Sequence, residues 1–506
     1  MGATITQRKL AKSSIKSQLS SARKRSPFKL ADSEPRTVQA PGDANWIDID
    51  LNFSTQDGDL IDNCAGTNYE GHGHPDELSP CSNGQTNGIA RDNHTYDAIV
   101  VGGGQAGLGA AGHLKAVGCD YILFDDRPKI GDSWAHRYDS AKWHTGRELG
   151  NLPFDRTFTA EDPELIPIKR IGSAYKAWTQ RHSINVQEGS RVDKATWDES
   201  TQIWTVQTSG SHGTQQWKSF NLITALGVGC SAPILPQWAT TPRIATSNYK
   251  GTMTQSANYH KRQRLRRQTL FPRNPEDMAD IGMHTTMVQR SPTFVLPGEW
   301  LVAINAAEYN LDKPIAVSDR PYYTHPLKIG REMANRGVHT GIEHSPEKFD
   351  DLEKAGFKLD RYGDLFQHIT VRLGGHYVDI GNCARIVKGE VKMKGEAVEC
   401  LTERGLRFVD GSELEADIIV LCTGFDRDYR KAAAAIVGEG VAEQMDGYGG
   451  PDKEGEIRGM AKLAGHPHLF YVGGDVKAAR FLSRFLALQL QKRNFGGELE
   501  PYLEGK

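Results

Sequence analysis

One stretch limits what this chain can fold into more than any other: Tyr96-Asp97-Ala98-Ile99-Val100-Val101-Gly102-Gly103-Gly104-Gln105-Ala106-Gly107. A short apolar run of β-formers leads at once into Gly-x-Gly-x-x-Gly. The following Leu108-Gly109-Ala110-Ala111-Gly112-His113-Leu114 reads as a helix. Strand, tight turn and helix N-terminus together form a cradle for a pyrophosphate. Gly102 permits the turn, Gly104 lets backbone approach the phosphates, and Gly107 lets helix pack on strand. The charge then rests on the unpaired N–H groups at the positive end of the helix. A second strand, Tyr121-Ile122-Leu123-Phe124, ends in Asp125, at the spacing where a carboxylate accepts from a ribose hydroxyl. The alternative role for Asp125 is a turn cap before Arg127-Pro128.

The rest of the chain narrows the class. At 506 residues there is room for two or three domains. A formal net charge of -2 gives no reason to expect nucleic acid as a partner. No apolar run approaches the roughly 18 residues of a membrane span. The seven cysteines are scattered without a C-x-x-C, which points to reduced thiols in an intracellular compartment and removes the cysteine pair a flavin disulfide reductase needs. No metal site is expected.

Residues 1–94 read as a disordered or linker-like extension. Met1 to Ala31 holds Arg8, Lys9, Lys12, Lys16, Arg23, Lys24, Arg25 and Lys29 with no acid, which suits a transit peptide or a disordered basic tail. Met1-Gly2-Ala3-Thr4-Ile5-Thr6 also fits a myristoylation pattern. The expected location is cytoplasmic, with membrane association through the N-terminus or a mitochondrial address as alternatives. From Thr95 to about Pro236 the pattern is that of a first nucleotide-binding unit. Within it, Val192 to Trp197 and Ile203 to Val206 flank Asp198-Glu199-Ser200-Thr201 as a β-hairpin.

At this point the residues carry a resemblance. The glycine motif, the strand-end Asp125, Gly131-Asp132-Ser133-Trp134 and a later strand ending in Ala225-Leu226-Gly227 follow the order found in flavin-containing monooxygenases. Tyr249-Lys250-Gly251 through Tyr259 resembles that family's fingerprint, with Gln255 where the family has His. Glutamine donates and accepts hydrogen bonds but takes no positive charge. The similarity is to class B flavoprotein monooxygenases, near the plant auxin-forming and fungal members. It implies an α/β fold of two Rossmann-like dinucleotide-binding domains, the NADPH domain inserted in the FAD domain, with β-hairpin and meander excursions. The boundaries expected are 95–236 and 416–506 for FAD and 237–415 for NADPH.

The pattern breaks once. Where the family has a second strand and a second Gly-x-Gly-x-x-Gly, this chain has Lys261 to Pro275, rich in arginine, without glycine and with Pro272 and Pro275. No buried strand is expected there. Counting back from Thr285, Arg266, Gln268 and Phe271 take the glycine positions. The pattern resumes in register with the strand Thr285 to Gln289 and Arg290, whose counterpart in the family contacts the 2′-phosphate of NADPH. A local shift of reading frame or a misplaced exon boundary accounts for loss and recovery in register; divergence into a basic loop is the alternative. Further on, Ser345 is placed to cap a helix. Asp417 to Phe425 resembles the family strand that returns the chain to the flavin domain, and His468 to Asp475 leads into the closing helix around Arg480 to Gln491.

The function implied is an FAD-dependent, NADPH-requiring monooxygenase that inserts one oxygen atom into a small organic substrate through a flavin hydroperoxide. The alternative is an FAD-binding pseudo-enzyme or defective oxygenase without a working NADPH site. The flavin carries the chemistry, so no catalytic side chain is assigned; His144 and Gln255 are only candidates near the site. Motif and resemblance place Gly102, Gly104, Gln105, Ala106, Gly107, Asp125, Gly131, Trp134, Val192, Gly474 and Asp475 on FAD and Arg290 on NADPH. Substrate and molecular oxygen are the expected partners. A truncation beginning near Asn93 is expected to keep flavin binding, since residues 1–94 lie outside the two-nucleotide pattern; flavin absorbance of the purified fragment checks this.

Overall fold

The computed structural model describes residues 94–499, leaving aside 138–139, 228–232, 241–248, 257–268, 271–277, 280–281, 373, 454 and 464. The extension 1–93 lies outside the described residues. Everything described belongs to one unit, residues 57–506.

Two parallel-stranded sheets organise it. The first is built from β1 (Thr95–Val101), β2 (Tyr121–Phe124), β3 (Val186–Gln187), β4 (Ser190–Asp198), β5 (Ile203–Gly210) and β6 (Gly213–Thr224). The order is β3-β2-β1-β6-β5-β4, so β1 lies centrally, buried along Ala98 to Val101 as a parallel strand covered on both faces must be. The hairpin β4–β5 pairs antiparallel with Asp198 opposite Ile203, as the turn residues predict. One strand comes from far away: Leu469–Tyr471 pairs parallel with β6 at Leu222 to Thr224. Helix α1 (Gln105–Ala116) follows β1.

The second sheet contains β7 (Thr252–Gln255), β8 (Thr269–Leu270), β9 (Thr285–Val288), β10 (Val391–Lys394) and β11 (Ile418–Leu421). Its order, β10-β9-β8-β11-β7, is that of a doubly wound unit with β8 as the central strand. The last strand of the first sheet is β12 (Leu469–Tyr471), and it leads into α2 (Val476–Asn494).

Three expectations are corrected here. A strand does lie inside 261–275: Thr269 pairs in parallel with both Thr285 and Ile418. It is two residues long, too short to show a periodicity. Arg266, Gln268 and Phe271, counted back to the glycine positions, lie outside the described residues. The second domain also extends past residue 415. Ile418 to Leu421 pairs with β7 and β8, so the chain returns to the first sheet only after β11. Four buried apolar residues suit the centre of either sheet equally. Ser345 precedes its helix, Pro346–Lys354, with no side-chain cap bond.

A buried ion pair ties the segment around Asp319 to α2, the helix that closes the first sheet. Arg480 on α2 donates from Nε to Asp319 Oδ2 at 2.7 Å and from Nη2 to Asp319 Oδ1 at 2.6 Å. Arg480 and Asp319 are 3% and 0% exposed. Asp319 also accepts from the Tyr309 hydroxyl at 2.9 Å, and Arg480 Nη1 donates to the carbonyls of Leu149 and Asn151. Nearby, Arg156 donates to Glu148 and to the Asn310 and Leu311 carbonyls, a second bridge between the same segments. Among the described residues no helix is long and apolar enough to cross a membrane.

Removing one partner of such a pair strands a buried charge, at a cost of about 3–5 kcal/mol. Arg480→Met is therefore expected to lower the urea unfolding midpoint sharply. The double change Arg480→Met with Asp319→Leu is expected to recover most of the loss, and equilibrium denaturation of both variants checks it.

Candidate functional site

The site forms where the N-termini of α1 and α2 meet. After β1 the chain turns at Gly102, whose φ of +109° suits glycine. A Cβ on Gly107 would overlap the Gly102 carbonyl oxygen, so helix and strand approach to backbone contact. Gly104 is the N-cap of α1 and offers no side-chain cap, which leaves first-turn N–H groups pointing outward. A Cβ built on Gly104 meets nothing within 4 Å. An uncapped helix start under open space is what a pyrophosphate requires.

Asp125 is 7% exposed at the end of β2. Its Oδ2 accepts from Gly103 N at 2.5 Å and its Oδ1 from Arg127 N at 2.7 Å. Burial pushes its carboxyl above the usual range, and these two N–H groups oppose the shift. A carboxylate has about four lone-pair positions, so capacity for a ribose hydroxyl remains. The turn-cap role of Asp125 is seen in the bond from Arg127 N.

Gln105 joins the two helix starts: its Nε2 donates to the Gly474 carbonyl at 3.0 Å, while its Oε1 is buried with no partner. Asp475 caps α2 by accepting from Ala478 N at 2.7 Å. Gly131 lies at the start of a short helix, Asp132–Ala135, and a Cβ there would overlap the Gly172 backbone, so its glycine also serves packing. Trp134 stands half-buried near Trp143, with the Arg137 guanidinium 4.4 Å from its ring centre. Val192 is buried on β4 close to Ser190, whose N–H donates to the Asp125 carbonyl. Ala106 is buried in the first turn of α1. These residues fit FAD: there is room over Gly104, an uncapped helix start, an acceptor at the strand end and an orphaned amide oxygen on Gln105. Sequence reasoning missed Glu188, which accepts from Ile130 N at 2.7 Å and holds the turn before Gly131. It carries no motif that would have shown it.

Arg290 is elsewhere, at the end of β9 in the second sheet, exposed and in no ion pair among the described residues. Gln255 is buried at the end of β7, also in the second sheet. The fingerprint around it has a structural part: the Tyr249 hydroxyl donates to the Ala416 carbonyl at 2.8 Å, and Gly251 leaves no space for a Cβ beside Asp417. Tyr259 lies outside the described residues. His144 is exposed on the strand Lys142–Gly146. No cluster of metal-ligating side chains occurs among the described residues.

Two doubly wound units, the first with an open and uncapped helix start at Gly104, define a two-dinucleotide-fold architecture. No family model matches the chain. The chain is 24% identical over 352 residues to indole-3-pyruvate monooxygenase YUCCA1 of Oryza sativa subsp. japonica, covering 66% of this chain and 78% of that protein. It is 25% identical over 421 residues to the FAD-containing monooxygenase EthA of Mycobacterium tuberculosis, covering 76% and 79%. Among solved structures it resembles a steroid monooxygenase bound to NADP, with a TM-score of 0.52 and 15% identity over 79% of this chain and 86% of that one. Cyclohexanone monooxygenase of Rhodococcus sp. Phi1 bound to NADP+ gives a TM-score of 0.51 and 16% identity over 79% and 84%. The chain is thus similar, over 66% and 76% of its length, to proteins named as monooxygenases.

Gly104 and Gly107 separate binding from folding. Gly104→Val is expected to fold with an unchanged melting point when flavin-free, because its side chain enters open space, yet to purify colourless. Gly107→Ala is expected to lose soluble protein, because its Cβ collides with backbone. Absorbance near the flavin bands and thermal melts of the two variants check this.

Proposed function

We propose that this protein is an FAD-dependent, NADPH-requiring monooxygenase that inserts one atom of molecular oxygen into a small organic substrate. The single observation that carries the reading is the cradle at Gly102 to Gly107, open above Gly104 and joined through Gln105 to the start of α2. Relatives named for monooxygenase activity align with 66% and 76% of this chain, which supports the reading.

The chain's own residues bind and orient. The first-turn N–H groups of α1 would hold phosphate charge, and Asp125 would fix a sugar hydroxyl through a charge-assisted bond. Gln105 would keep the two helix starts in register around the cofactor. When bound, the flavin supplies electron transfer and oxygen activation. Arg480 and Asp319 would keep the inserted segment seated.

The test is incubation of the flavin-loaded protein under ¹⁸O₂ with panels of amines, sulfides, ketones and keto acids. It is run once with NADPH and once with flavin reduced by light. The expected product carries one ¹⁸O atom in at least one panel under both conditions. Oxygen consumption with no labelled product in any panel would remove the oxygenase assignment.

A further inference from the structure

The first turn of α2 carries a cation that no carboxylate of the described residues touches. Lys477 is 7% exposed, yet its ammonium makes no hydrogen bond and no ion pair among the described residues. It lies instead against two aromatic rings, 2.8 Å from the centre of Tyr322 and 5.9 Å from that of Tyr323. Both tyrosines end the helix Ile315–Tyr323. The acids nearby have other duties. Asp475 caps α2 through Ala478 N, and Asp319 grips Arg480 with both oxygens while accepting from Tyr309. Burial brings the Lys477 amine down to about 8; Asp475 and Asp319 oppose that shift, and Arg480 adds to it.

Such a placement is costly twice over. A positive charge opposes the dipole at the start of a helix, and a buried ammonium without partners loses its hydration unrepaid. A lysine with no more than a packing role runs its stem along the surface and keeps its charge in water. An aromatic face returns only part of the loss. The two rings over Lys477 also differ in how they are held. Tyr323 stacks on Phe481 with ring centres 4.2 Å apart, whereas Tyr322 is 53% exposed and meets Tyr323 edge-on. Swinging Tyr322 outward uncovers the ammonium and breaks only that edge contact. The turn also borders the cofactor end, since Gly474, three residues earlier, accepts from Gln105 at the start of α1.

We propose that Lys477 receives the carboxylate of an acidic substrate, which displaces the ring of Tyr322 and takes its place over the ammonium. The proposal rests on the oxygenase reading and adds the substrate class: organic acids in preference to their neutral amides. The carboxylate supplies the charge that the protein withholds, and its bond to the ammonium is a charge-assisted one.

Calorimetric titration of the oxidised, flavin-loaded, full-length protein tests this without turnover, using hexanoate against hexanamide and benzoate against benzamide. At pH 7 each acid is expected to bind about tenfold or more tighter than its amide. Lys477→Met is expected to abolish that preference while leaving amide affinity and flavin content unchanged. Its melting point is expected to hold or rise, because the change removes a buried charge that has no partner. Tyr322→Ala is expected to tighten acid binding, since no ring is left to displace. Between pH 7 and pH 9 acid binding is expected to weaken about tenfold as the ammonium loses its proton. Over that range Asp475 and Asp319 stay ionised and Arg480 stays charged, while burial holds the hydroxyls of Tyr309, Tyr322 and Tyr323 protonated. Acids that bind no better than amides, or a preference that survives Lys477→Met, would overturn the proposal. Loss of flavin from Lys477→Met would overturn it too, by giving the lysine to a cofactor phosphate. The oxygenase reading fails separately: it falls if light-reduced protein gives no labelled product, whatever the titrations show.

Discussion

The contact between Gly107 and the Gly102 carbonyl sets the distance between α1 and β1, and most of the molecule depends on that distance. With helix and strand at backbone contact, α1 is buried on every flank from Ala106 to Leu114, the one turned away from β1 included. Against that flank lies α2: a Cβ on Gly109 would sit 3.4 Å from Ser483 Oγ, and His113 Nδ1 lies 3.0 Å from the same hydroxyl. The placing of α2 in turn brings Asp475 to the cofactor end and Arg480 to Asp319. A side chain at position 107 would shift each of these in sequence, because close-packed interiors pass on strain rather than absorb it.

What the sequence made legible was local. A run of β-formers, a glycine motif and a helix share one short stretch, and the hairpin announces itself by alternation and a polar turn. The strand at Thr269–Leu270 was invisible because two residues have no period, and its place in the sheet is dictated by neighbours at Thr285 and Ile418. Ile418 to Leu421 was legible as a strand but not as a member of the second sheet. Its composition reports burial on both faces and not which strands flank it. Arg480 and Asp319 stand far apart in the chain, and a charged residue on a helix looks the same in sequence whether it meets water or a buried carboxylate. Around the candidate site, the residues tied to backbone geometry were readable, while Glu188 holds Ile130 N through a tertiary contact and left no trace.

The two units show how little a shared topology guarantees. Both place a central strand between two parallel neighbours, and both close the following connection with the same pair of backbone bonds. The capacity to hold a phosphate resides in the few residues between strand end and helix start. In the first unit those residues leave an open, uncapped helix start.

One feature of the first sheet bears on how the protein is made. β12 and α2, residues 469–494, complete a sheet whose other strands lie between Thr95 and Thr224. A ribosome adding about 5–20 residues per second exposes β6 well before its last partner exists. Through that interval Leu222 and Ile223, fully buried in the finished protein, have an unpaired flank. The second sheet, between Thr252 and Leu421, can assemble meanwhile on strands already present. The order of synthesis therefore runs inward: the inserted unit matures first, and the flavin-side unit waits for the final helix.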